Sequence, residues 1–312
     1  MYGGVETAQG EDGEVGMIID THVWLSKPEH WGDQDIMDDA MYKAGWAARG
    51  LGTKTGLTKG INAEQMVEIM DEAGVDMAVC HSVKVPRLNT HVPTEWVISE
   101  CAKFPDRLIP MGSVDLLGGV KSLREMEEIT AMGGVGMKMT PAPSYGIPLN
   151  DERLMPIYEK AAELGMIIQI HTGWSGFGRL ADQHPILLDD VAVRVPELKL
   201  IVVHAGENYY EEVVMMMLKN PNMYAGTGWW GFLQPLETNV RFLKYAKHFM
   251  VLDKCLWGTD NFDCREDVPY TRSFPRLARE LNIAPGLPEL TDEDIDAYLG
   301  GNAAKLYGVE KD

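Results

Sequence analysis

The chain has 312 residues, 45% of them hydrophobic, and a formal net charge of −19. That is ample material for a large core, and a surface this acidic repels nucleic-acid phosphates and anionic lipid, which sets nucleic acid aside as a partner. No stretch approaches the roughly 20 apolar residues of a membrane span. The four cysteines, Cys80, Cys101, Cys255 and Cys264, are scattered without a C-x-x-C pair, so they read as buried free thiols rather than a disulfide framework or a zinc finger.

Residues 1–16 are acidic and glycine-rich and lack the basic start and apolar core of an export signal. They read as a flexible tail, and the chain as cytoplasmic. From there eight apolar runs follow one another at 17–24, 77–82, 108–115, 135–140, 166–172, 198–205, 223–227 and 255–260. Nearly all are apolar on both faces until a polar residue appears at the C-terminal end, as in parallel strands covered on both sides. Amphipathic stretches lie between them. Asn62 and Gln65 form a capping box ahead of Met66, Ile69, Met70 and Ala73, and Gly74 stops that helix. Asn150 opens a helix through Leu154, Ile157, Tyr158 and Ala161, with Pro156 in its early turns, where proline costs least. Residues 211–218 form another, and Thr291 with Asp294 caps a last one that carries Ile295, Tyr298 and Leu299.

Strands alternating with helices predict one α/β domain over 17–312, a distorted (β/α)8 TIM barrel. A doubly wound sheet is the alternative, but it usually has fewer strands, and no glycine-rich phosphate loop follows the first run. Two segments exceed a minimal barrel. Residues 25–60, a long insertion after the first strand, carry Trp31, Trp46 and Arg49; residues 261–290 carry Asp263 and Arg265. Both leave the C-terminal ends of strands, where loops build a barrel's active site, so both are expected to cap the pocket.

Residues two apart on a strand share a face. Asp20, His22 and Trp24 share one in the first run, Gln169 and His171 in the fifth, Val202 and His204 in the sixth, Gly258 and Asp260 in the eighth. If the barrel closes, His22, His171, His204 and Asp260 point to one mouth, a set suited to a borderline cation such as zinc. A lone histidine ending a buried strand is more often a hydrogen-bonded core residue, and His81 is read that way. His30, His91, His184 and His248 read as loop or helix-surface residues, and Trp24 and the Trp229–Trp230 pair as pocket wall or core.

The runs IIDTHVW, GVGMKMTP, IIQIHTG, IVVHAGENYYEE, NPNMYAG, LWGTDNFD and GNAAKLYG resemble the amidohydrolase-related family. Within that superfamily they look closest to the branch of aminocarboxymuconate semialdehyde decarboxylase and γ-resorcylate decarboxylase. The resemblance covers residues 17–308 and is far more specific for the superfamily than for the reaction. It implies one divalent metal ion, zinc before manganese, with His171 and Asp260 as ligands and His204 as a catalytic histidine that Glu207 orients. Lys138 matches a lysine that is carboxylated in two-metal relatives; here it implies an ordinary lysine or an anion contact. The resemblance also implies a homodimer or homotetramer.

The first strand departs from the pattern. Relatives place a histidine or glutamate two residues from a ligating histidine; here the residue two after His22 is Trp24, which cannot ligate. Either Asp20 and His22 both ligate, or His22 stands alone and the site is weakened or metal-free, as in metal-independent members of the superfamily. The leading reaction is non-oxidative decarboxylation of an aromatic or unsaturated carboxylate. Asp260 or His204 would deliver the proton, Arg49 would clamp the anion, and Trp24, Lys138 and Glu207 would line the substrate site. The alternatives are metal-dependent hydrolysis of an ester, lactone or amide, and a non-catalytic barrel that binds a small ligand.

Overall fold

Each of the eight apolar runs contains a parallel strand in the computed structural model, which describes residues 16–32, 60–260 and 264–310, the side chain of Phe232 excepted. Arg49, Trp46, Asp263 and residues 1–15 of the expected tail lie outside the described residues. The strands are β1 (Ile19–Trp24), β2 (Met77–His81), β3 (Leu108–Met111), β4 (Gly136–Met139), β5 (Ile167–His171), β6 (Lys199–Val203), β7 (Met223–Gly226) and β8 (Cys255–Leu256).

Parallel ladders run β1–β2–β3 and β4–β5–β6–β7–β8. Two seams close the ring. Gly112 N donates to Gly136 O and Lys138 N to Gly112 O, joining β3 to β4. Thr21 N donates to Trp257 O and Asp260 N to His22 O, joining β8 to β1. The molecule is therefore an eight-stranded barrel wrapped in helices, as the alternation predicts.

Strand phase sorts the core. Ile19, Met77, Val79, Ile109, Met111, Ile167, Ile201, Val203 and Leu256 form one buried cluster that Ala303 and Leu306 join. The intervening residues, such as Ala78, Cys80, Leu108, Ile168, Ile170, Leu200 and Val202, pack with helix residues in the larger cluster. All four cysteines are free and buried, as expected. No helix among the described residues is long and apolar enough to cross a membrane.

The helix signals hold where capping chemistry decides them. Ala63–Ala73 begins with the Asn62–Gln65 box and ends at Gly74, which adopts φ 69°. The Thr291–Asp294 box opens Asp292–Asp296. Asn150 does not cap its helix; its side-chain amide donates to Asp190 at 2.8 Å. Asp151 caps a 3-10 turn instead, and Met155–Glu163 follows with Pro156 in its first turn. Among the described residues the mouth is walled by Trp31 of the first expected cap segment, by a hairpin of Val83–Val85 and Thr90–Val92 after β2, and by the loop after β5, while residues 264–290 contribute no lining side chain; residues 33–59 of the expected cap lie outside the described residues.

Candidate active site

The polar ends of the strands meet at the mouth of the barrel. His22, Lys138 and His171 stand on β1, β4 and β5, and His204 begins the turn after β6. Residues 204–207 pass through four left-handed conformations, φ 62°, 44°, 68° and 53°, and Asp260 has φ 53°. Each such non-glycine residue costs on the order of 1 kcal/mol or more and persists only where its surroundings hold it. Trp230 Nε1 supplies one hold, donating to His204 O at 2.6 Å. Asp260 N supplies another, donating to His22 O at 2.8 Å.

His22 Nε2 lies 3.1 Å from Asp260 Oδ1 and 3.2 Å from Lys138 Nζ. Trp24 Nε1 donates to the same Asp260 Oδ1 at 2.6 Å. His204 Nε2 is 3.8 Å from Asp260 Oδ2 and 3.0 Å from His171 Nδ1. The outer nitrogens of this histidine pair face carbonyls: His204 Nδ1 faces Gly228 O at 2.8 Å, and His171 Nε2 faces Trp174 O at 3.2 Å. A ring nitrogen facing a carbonyl must carry a proton. The contact between the inner nitrogens then needs a third proton on two rings, with the Asp260 carboxylate beside it as counter-charge.

Burial opposes that extra proton. It drives His204 well below the ordinary histidine value, with the neighbouring His171 and Lys138 adding to the effect, and it lowers His171 to about 3. Desolvation lowers Lys138 to about 7 against the pull of Asp260. It raises Asp260 to about 6, while Lys138 and the Trp24 bond pull it down. Burial and pairing thus compete at Lys138 and Asp260, which are brought near neutrality, while they disfavour a charged form of the two histidines.

Asp20 is differently placed. Its carboxylate accepts from His22 N at 3.0 Å, Thr259 N at 3.0 Å and Thr259 Oγ1 at 2.6 Å, tying β1 to the end of β8, and it does not line the cavity. Glu207 does line it, with its side chain against Gly173, where a Cβ would come within 2.8 Å of Glu207 Cγ. His204 is held by Gly228 O and His171, the part that sequence reasoning gave to Glu207. His81, read from the sequence as a hydrogen-bonded core residue, is buried with its Nδ1 3.1 Å from Val23 O, its ring centroid lies 4.4 Å from that of His22, and it does not line the cavity. It ends β2 in the phase of the inward-facing Met77 and Val79, the same signal that marked His171.

Above these groups opens a cavity of about 190 Å3. Trp24, Trp31, Val83, Val85, Leu88, Trp174, Phe177 and Trp229 wall it, over Lys138, His171, His204, Glu207 and Asp260. Trp230 belongs instead to the core.

A family model described as amidohydrolase matches residues 19–309, from β1 to the last helix. The chain belongs to the amidohydrolase family. This amidohydrolase is 24% identical over 259 residues to 2-amino-3-carboxymuconate-6-semialdehyde decarboxylase of Dictyostelium discoideum, a stretch covering 72% of this chain and 66% of that protein. Its fold matches an uncharacterised TIM-barrel protein of Bordetella bronchiseptica (TM-score 0.68, 21% identity, 94% of this chain and 98% of that one). It also matches 5-carboxyvanillate decarboxylase of Novosphingobium aromaticivorans, solved with manganese and a nitrobenzoic acid (0.65, 16%, 96% and 98%). A third match is a probable 2-pyrone-4,6-dicarboxylic acid hydrolase of Acinetobacter baumannii (0.59, 13%, 93% and 99%). The amidohydrolase is thus an enzyme of a metal-dependent family on a TIM-barrel fold.

The side chains of this member do not fit a divalent ion. Among the described residues, no three His, Cys, Asp or Glu side chains converge as metal ligands would. Trp24, two residues after His22 on β1, cannot ligate, and its N–H engages Asp260 Oδ1. His171 turns Nε2 to Trp174 O, and Asp20 is committed to Thr259 and the backbone of β1. Lys138, itself a cation donor, meets His22 Nε2.

Proposed function

We propose that this amidohydrolase catalyses non-oxidative decarboxylation of a small aromatic or unsaturated carboxylate. The observation that carries this reading is a cavity with aromatic and aliphatic walls that ends on one lysine, Lys138, beside His204 and Asp260, whose Nε2 and Oδ2 lie 3.8 Å apart. An apolar wall desolvates a flat unsaturated ring, and one cation orients its carboxylate. A divalent ion such as the manganese bound in the carboxyvanillate enzyme would supply Lewis acidity; in the reading proposed for this chain the side chains carry the steps.

Lys138 Nζ pairs with the substrate carboxylate. His204 Nε2, which shares its proton with His171 and lies beside Asp260 Oδ2, protonates the carbon that bears the carboxylate, using a π pair of the substrate. The bond to the carboxylate carbon then breaks, its electron pair restores the π system, and carbon dioxide leaves. Asp260 relays a replacement proton from solvent to His204. The sum is carboxylate plus a proton giving the hydrogen-substituted product and carbon dioxide.

Hydrolysis of a lactone or ester is the second reading, favoured by the fold shared with the dicarboxylic acid hydrolase. The same His204–Asp260 pair would deprotonate water. A panel of aromatic and unsaturated carboxylates, run beside esters and lactones, separates the two. The expected result is carbon dioxide release with one solvent deuteron fixed in the product. Ester or lactone cleavage without carbon dioxide overturns the decarboxylase reading.

A further inference from the structure

Lys138 is only 4% exposed, on the inner face of β4. A buried ammonium persists when acceptors and opposite charge surround it. Here His22 Nε2 lies 3.2 Å from Nζ and the indole face of Trp24 lies 5.8 Å from it. The histidine that would ligate from β1 is thus turned to an ammonium, and the next position along that face is closed by an indole that holds the carboxylate. The two departures fit each other. A cation beside His22 and Asp260 makes a second cation there unfavourable, and Asp20, committed to Thr259, supplies no further ligand oxygen to offset it.

We propose that Lys138 is the resident cation of this site, in the role that a divalent ion has in metal-dependent relatives, and that Trp24, holding Asp260, closes the position beside it. The inference concerns the charge of the site and holds for either reaction. An ammonium binds a carboxylate as a point charge through up to three hydrogen bonds and does not polarise a carbonyl as a Lewis acid does.

The test is metal content and stability, read apart from catalysis. The full chain is incubated with zinc or manganese, desalted, and measured by elemental analysis and thermal unfolding. The expected result is no stoichiometric metal and no rise in Tm. The double variant Trp24→His/Lys138→Ala removes the ammonium and adds an imidazole on β1; it is expected to retain about one zinc or manganese ion per chain and to gain Tm with it. A wild-type chain that holds one ion and is stabilised by it overturns the proposal, as does a folded double variant that holds none. If circular dichroism shows the double variant unfolded, Lys138→Met is titrated with benzoate by calorimetry. Loss of at least about tenfold in affinity supports Lys138 as the site's cation, and unchanged affinity overturns it. Carbon dioxide release enters none of these measurements, so failure of the decarboxylase reading is seen separately.

Discussion

Trp24 Nε1 donates a 2.6 Å hydrogen bond to Asp260 Oδ1, linking the end of the first barrel strand to the end of the last. The bond fixes one carboxylate oxygen and leaves the other facing His204 at 3.8 Å. The indole therefore orients the acid. Trp24→Phe keeps the aromatic wall and deletes the donor. A hydrogen bond to a charged group contributes about 1.5–3 kcal/mol, so kcat is expected to fall roughly 10- to 100-fold. Circular dichroism should be unchanged; an unaltered kcat would show that the bond plays no part in turnover.

Asp260→Asn keeps an acceptor for Trp24 and removes the group that relays protons to His204. Proton transfer by a positioned side chain contributes typically about 10²–10⁴-fold, and kcat is expected to drop by that order. Benzoate binding, which rests on Lys138 and the apolar walls, should survive within a few-fold. Wild-type kcat in this variant would remove Asp260 from the proton path.

Asp20 separates support from chemistry. Asp20→Ala leaves His22 N, Thr259 N and Thr259 Oγ1 without their acceptor in the buried seam between β1 and β8. Unsatisfied buried donors cost about 1–3 kcal/mol each, partly relieved by the removal of a carboxylate whose burial raises it to about 7. A net loss of roughly 2–4 kcal/mol is expected in urea unfolding. Stability equal to wild type would show that the seam holds without Asp20.

The barrel was legible because a strand covered on both faces is a continuous apolar run, and all eight runs contain one. The site was legible in part by strand phase: Lys138 and His171 continue the inward phase of their runs, whereas His22 reaches the mouth across a register shift in β1 and His204 through the left-handed turn after β6, out of phase with Ile19 and Val203. His81 shares the inward phase of Met77 and Val79 and still proves the hydrogen-bonded core residue that a lone histidine ending a buried strand is expected to be. What could not be read were relationships across the ring. Lys138 meets His22 over 116 residues of chain, and no local pattern encodes that meeting. The hairpin walls were hidden as well, because each strand spans three residues around a Pro86–Leu88 turn, too short for alternation to register. Asn150 and Asp151 show the limit of capping rules: both residues suit a cap, and it is Asp151 whose side chain accepts from Arg153 N, while Asn150 donates to Asp190.

Glu207 makes stability depend on pH in a direction that can be worked out. Desolvation raises its carboxyl to about 8, against a hydrogen bond from the Trp174 backbone that lowers it. In the unfolded chain the group titrates near its ordinary value of 4.5. Below that value both states hold the proton and burial carries no titration penalty. As pH rises from about 4.5 to 8, the unfolded state releases its proton while the folded state keeps it, so folding is disfavoured by up to about 1.4 kcal/mol for each pH unit. Above about 8 both states are ionised and the difference stops growing. Glu207→Gln keeps the shape without the titration. Its stability relative to wild type, from urea unfolding at pH 5 and pH 8, is therefore expected to rise with pH. Parallel pH profiles would place an ionised Glu207 in the folded protein throughout that range, with its burial offset by contacts other than Gly173 and Trp174.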